Sequence, residues 1–185
     1  MLTEDYILRM IGLAMAALMK ALGFKKAGKY DEALQAFDQA IEHLLGVNAR
    51  LALQLDDALL LDRLSFQGKL DVDRLLVLAD IYHEQAGVYI LQGQLENGQF
   101  AIRRSLRLYL EAVLPGEVSS NLELIQKVEA LRQELLTSAL PVETRLALLD
   151  YMERLLATDD SFLTAAGLSR PDLLSAFSSL QGADL

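Results

Sequence analysis

A chain of 185 residues suffices for one domain or a short repeat array, and at that size folding hides about 70% of the surface an unfolded chain exposes. There is no cysteine, which excludes disulfides, thiolate metal sites and a cysteine nucleophile. With 17 Lys and Arg against 26 Asp and Glu the formal charge is −9, which opposes binding to nucleic acid or to an anionic membrane surface.

The N-terminus, Met1-Leu2-Thr3-Glu4-Asp5, is acidic where a secretory leader is basic. Thr3 is placed to cap a first helix in which Tyr6, Met10, Leu13, Ala17, Leu18, Ala21 and Phe24 recur at three- and four-residue steps. Its apolar run from Met10 to Met19 stops at Lys20, short of the roughly 20 residues that a bilayer span requires. The reading is therefore of a cytoplasmic protein that neither crosses nor binds a membrane.

That first helix is expected to end near Ala27-Gly28, and a second to run from Tyr30 to Leu45 with Ala33, Phe37, Ala40 and Leu44 on one stripe. So short a turn makes the two pack antiparallel. Asn48 caps a third helix expected to continue through Leu64, before a break at Ser65-Phe66-Gln67-Gly68. Asp71 starts a fourth, to about Gln92, and Gly93-Gln94 separates it from a fifth over Leu95–Leu114, which Pro115-Gly116 ends. Ser120 with Glu123 has the pattern of a capping box for a sixth helix, and Pro141 suits the first turn of a seventh reaching Ala157. Short helices after Asp160 and Pro171 close the chain, and residues 178–185 are expected to form a mobile tail. No segment alternates as a strand does, and Asn97-Gly98 lies within a helical period, so it is not taken as a hairpin turn.

The pattern Phe24-x3-Gly28-Lys29-Tyr30-x2-Ala33-x3-Phe37-x2-Ala40 resembles the tetratricopeptide repeat. A second copy reads Tyr82-x3-Ala86-x2-Tyr89-x3-Gly93-Gln94-Leu95-x2-Gly98-x3-Ile102-x2-Ser105. In both, a glycine permits the reversal, and small residues at Ala33 and Gly98 let helices approach where a neighbouring backbone presses on them. The sequence departs from the pattern at Ala17, which stands for a large aromatic, and at Lys20 and Gln85, which stand for leucine. Gly28 and Gly93 lie a little under two periods of about 34 residues apart, so the intervening repeat is degenerate.

The resemblance, which also extends to an uncharacterised bacterial family of tetratricopeptide-like proteins, implies an all-α fold. It would be a right-handed array of antiparallel helix hairpins with extra C-terminal capping helices, forming one domain over residues 1–177. The hairpins span about 14–46 and 79–112, with degenerate helices over 48–64, 119–157 and 160–177.

It further implies a protein or peptide ligand along a groove lined by the first helix of each hairpin. That places Leu18, Leu22, Lys25 and Lys26 with Asp80, His83, Gly87, Ile90 and Leu91 as partner-binding residues. Relatives that clamp a peptide carboxylate use Lys and Asn where this chain has Leu18 and Leu22, so an apolar ligand such as a partner helix fits better.

Chemistry of other kinds finds little support. His83-Glu84 lacks a second histidine one turn on, so no metal site is expected, and the glycines do not form a phosphate loop. Asp56-Asp57 and Asp159-Asp160 are sequence neighbours that splay apart rather than converge. Arg103 and Arg107, one turn apart, are the candidate anion-binding pair. The reading is thus of a non-catalytic interaction or scaffolding module without a cofactor. The alternative is an enzyme or small-molecule sensor with a pocket between hairpins. With 52% hydrophobic residues and a mean hydropathy of +0.24, surplus apolar surface points also to a homodimer.

Overall fold

The computed structural model describes residues 2–135 and 140–182, and those residues are almost wholly helical. The all-α expectation holds. Backbone contacts group into two compact units, Met1–Ala101 and Ile102–Leu185.

In the first unit, α1 (Leu2–Lys26) and α2 (Tyr30–Leu45) form an antiparallel hairpin. The helix begins before Thr3, which therefore lies inside it rather than at its cap. At the turn Gly28 has φ +70°, the Gly28 N–H donates to Lys25 O, and the Lys29 N–H donates to Phe24 O at 2.9 Å. Gly93, φ +74°, repeats this arrangement: the Gly93 N–H donates to Ile90 O and the Gln94 N–H to Tyr89 O at 2.8 Å. Both are Schellman closures, which satisfy carbonyls that a helix end otherwise strands. Gly93 joins α5 (Val72–Leu91) to α6 (Leu95–Val113), in which Asn97 and Gly98 are helical as expected.

The segment between α2 and α5 departs from expectation. A single helix to Leu64 is replaced by α3 (Ala49–Gln54) and α4 (Asp57–Arg63), because Leu55 turns extended and the Asp56 carboxylate accepts from the Leu59 N–H at 2.7 Å, capping a new helix. The break at Ser65-Phe66-Gln67-Gly68 is present, but it is a hairpin: β1 (Ser65–Phe66) pairs antiparallel with β2 (Lys69–Leu70) around Gln67 and Gly68, both at positive φ. A ladder of two residues per strand has no room for the alternation by which strands are read.

Helices α1 and α5 lie side by side and parallel, since Lys25 meets Glu84 near their C-terminal ends and Tyr6 acts electrostatically on Arg74 near their N-terminal ends. Helix α2 packs antiparallel on α5 through contacts in register: Gln92 donates to Asp31, Gln85 to Asp38, and Arg74 to Leu44 O. The leucine position taken by Gln85 is thereby explained, because its buried amide reaches a carboxylate of the neighbouring helix. Ala33, Phe37, Ala40, Leu75, Leu78 and Tyr82 fill the core. The small residue at Gly98 serves a side chain rather than a backbone: a Cβ there would stand 2.8 Å from Ile90 Cγ1 and an ordinary 3.5 Å from Ala86 O.

Within Asp5–Lys26 an 18-residue window reaches a mean hydropathy of 1.7, which gives this helix the length and composition of a membrane-crossing one. The shorter run from Met10 to Met19 understated it. One face is nevertheless committed to the fold, since Ala14, Ala17, Leu18 and Ala21 are buried.

The second unit holds the rest of α6, a 3-10 turn (Val118–Ser120), α7 (Leu122–Glu134), α8 (Val142–Leu156), α9 (Asp160–Ala165) and α10 (Arg170–Gly182). The cap of α7 is Asn121, accepting from the Leu124 N–H at 3.1 Å, while the Ser120 hydroxyl donates to Glu117 O. The cap therefore falls one residue later than expected, and with Leu124 three residues on from it the reciprocal bond of a capping box is not made. Pro141 stands just before α8 rather than in its first turn. Helix α10 continues to Gly182, which makes residues 178–182 of the expected tail helical; residues 183–185 lie outside the described ones. A third Schellman closure, at Gly167, joins α9 to α10.

Candidate functional site

The residues expected to line a groove fall on α1 and α5, which the fold does bring together. Leu18, however, is only 6% exposed and belongs to the core. Lys25 donates to the Glu84 carboxylate at 2.7 Å, and its Nζ would stand 3.0 Å from a Cβ at Gly87. The side chain thus bridges the two helices and covers Gly87, filling the floor of the expected groove. Leu22, Asp80 and His83 are half-buried along this face, while Lys26, Ile90 and Leu91 are exposed. What remains is a shallow strip, apolar at Leu22, Ile90 and Leu91, with Asp80, His83 and the Lys25–Glu84 pair beside it. Glu84 was not foreseen, because its role depends on a partner 59 residues away.

A partly buried polar contact joins α2 to α5. The Asp38 carboxyl accepts from Gln85 at 3.1 Å, and burial raises its pKa above the ordinary value of 3.8 against the opposing effect of that hydrogen bond. A carboxyl with a raised folded pKa keeps its proton longer in the folded state than in the unfolded one. The stability cost is absent below the unfolded pKa and complete above the folded one. Asp38→Asn keeps an acceptor for Gln85 without the charge, so it should melt above wild type at pH 7 and level with it near pH 3. Thermal unfolding across that range checks this, and equal melting temperatures at pH 7 would contradict it.

The proposed arginine pair in the second unit is not presented as expected. Arg107 forms an ion pair with Glu111 and donates to Glu143 O at 3.3 Å, and Arg103 is half-buried. The guanidinium of Arg107 is directed at protein groups, because the i+4 acid on its own helix competes with any external anion. Elsewhere in this unit Glu129 and Arg132 make a mostly buried, two-bond ion pair on α7. Beside it, burial and the Glu129 charge push the Tyr151 hydroxyl well above the usual phenol range, so it stays protonated.

Comparison with known proteins finds no matching family model, no matching characterised protein and no matching solved structure. The reading of function accordingly stands on this chain's own geometry.

Two further features bear on chemistry. Among the described residues, no three His, Cys, Asp or Glu side chains gather where they could hold a metal ion. An open depression in the second unit is lined by Gly116, Glu117, Val118, Ser119, Arg154, Ala157 and Thr158. The Arg154 guanidinium there forms two hydrogen bonds to Asp150 and one to Leu114 O. Its charge is used to close the C-terminal end of α6 and to pair with its own helix.

Sequence reasoning missed Arg74. It is 6% exposed, and its guanidinium donates to Leu44 O at the end of α2 and, at 3.2 Å, to Arg63 O at the end of α4. One side chain from the first turn of α5 therefore satisfies carbonyls at two other helix ends. A lone arginine in a helical period gives no sign of this.

Proposed function

We propose that the chain is a non-catalytic protein-interaction module of tetratricopeptide-like construction, acting in the cytoplasm. The observation that carries this is the same turn chemistry at Gly28 and Gly93, each closing one of two helices, α1 and α5, that run parallel and in contact. Such stacking builds an extended face from successive first helices. The strip of half-buried Leu22 with exposed Lys26, Ile90 and Leu91 suits the apolar side of a partner helix, while Asp80 and His83 stand at its edge.

Capture from a native cytoplasmic extract, with wild type and a Leu22→Glu/Leu91→Glu variant as paired baits, tests the reading. A protein retained by wild type and lost from the variant is the expected result, with charge on both apolar contacts weakening retention about tenfold or more. An equal set of proteins on both baits, or none on either, would contradict it.

Self-association forms a second part of the proposal. It is favoured by the large apolar side chains exposed along α1, among them Leu8 and Met19.

A further inference from the structure

The outer face of α1 carries a pattern that its own fold does not explain. Along it lie Asp5, Leu8, Gly12, Met15, Ala16, Met19, Gly23 and Lys26, all exposed, with Leu8 at 65% and Met19 at 63%. Their three- and four-residue steps hold them on one side of the helix. Glycine is the poorest helix former after proline, yet two interrupt this helix. At Gly98 and Gly87 an internal neighbour crowds the position where a Cβ would stand; at Gly12 and Gly23 a Cβ would meet nothing within 4 Å. Among the described residues, nothing packs against those two positions so as to need them small.

We infer that α1 pairs antiparallel with α1 of a second copy of this chain, about a two-fold axis passing between Met15 and Ala16. This rests on the self-association part of the reading above and supplies its face and register. Rotation about that axis brings Leu8 of one copy level with Gly23 of the other, Met19 level with Gly12, and Met15 level with Ala16. Each large side chain on the face then stands against a small residue, and two helices approach as closely as the residues between them allow. The same rotation sets Asp5 against Lys26 at both ends, so the charges agree with the register that the side-chain sizes select. Antiparallel alignment also opposes the two helix dipoles. The contact runs from Asp5 to Lys26, about 32 Å at the rise of an α-helix.

A lipid surface is the competing occupant, and the face suits it poorly. Gly12, Ala16 and Gly23 offer little apolar area, and Arg9 and Lys20 are exposed beside the stripe. Crossing a bilayer would also withdraw Ala14, Ala17, Leu18 and Ala21 from the core and break the Lys25–Glu84 pair.

Sedimentation at micromolar concentration tests the inference on the full chain. Wild type is expected as a dimer. Gly12→Leu/Gly23→Leu, which fills both hollows with better helix formers, is expected to weaken it about tenfold to a hundredfold. Its melting temperature when monomeric should be no lower than that of wild-type monomer, which separates lost pairing from lost folding. Because the chain has no cysteine, Ala16→Cys gives a single thiol, expected to cross-link to its own copy on oxidation, whereas Leu8→Cys should not. A dimer unaffected by the leucines, or one in which Ala16→Cys fails to cross-link, overturns the face and register but leaves self-association standing. A monomeric wild type removes both, as does co-sedimentation with phosphatidylcholine vesicles in place of dimerisation.

Discussion

Arg74→Ala is expected to lower the unfolding free energy by about 3 kcal/mol, since it strands two carbonyls with a desolvation penalty of roughly 1–3 kcal/mol each. Leu44 O and Arg63 O accept from one guanidinium, and the loss falls on two helix ends together. Burial lowers the pKa of Arg74 while Asp71 and Tyr6 oppose the effect, so the wild-type side chain already carries a desolvation cost that its hydrogen bonds offset. Arg74→Lys should recover only part of the loss, because an ammonium lacks the planar fork that serves both acceptors. Urea unfolding followed by circular dichroism checks this. A loss under about 1 kcal/mol for the alanine variant would show that water satisfies those carbonyls.

Phe37→Ala should cost about 3–5 kcal/mol, the range for removing an aromatic ring from a close-packed core. Phe37 is fully buried on α2, the helix that packs on both α1 and α5. Phe24, also part of the repeat pattern, is only half-buried; Phe24→Ala should cost about half as much, in proportion to the apolar area returned to water. The same denaturant series measures both. Equal losses would mean that the α1–α2 turn, rather than the interior of the hairpin, carries the stability of this unit.

The contrast between those phenylalanines shows what was legible in advance. Turn glycines followed by a new apolar stripe located α2, α5 and α6 to within a residue or two, because a left-handed closure and a 3.6-residue period are both local properties. The α3–α4 break was missed for a local reason of another kind: Asp56 reads as a solvated helix residue until its carboxylate is seen to accept from the Leu59 N–H, at which point it begins a helix.

The site was legible only in outline. Leu18 and Leu22 are alike in sequence and one turn apart, yet one is core and the other is half-buried, and the difference is set by how deeply α2 and α5 cover that side of α1. Arg107 is governed by Glu111 on its own helix, a pairing visible in the spacing. Arg74 and Glu84 find their roles 30 and 59 residues away, where a period carries no information. Gly12 and Gly23 are plain in the sequence, but their meaning depends on the fact that no described residue crowds them.

The account depends most on α1 lying alongside α5, since both the strip and the free outer face of α1 follow from that placement. Zero-length carbodiimide coupling of the purified protein, with peptide mass spectrometry, tests it directly, because Lys25 and Glu84 are in contact at 2.7 Å. An amide between Lys25 and Glu84 within one chain is the result expected. Coupling of Lys25 to other carboxyls with none to Glu84, or to Glu84 of another molecule alone, would contradict it.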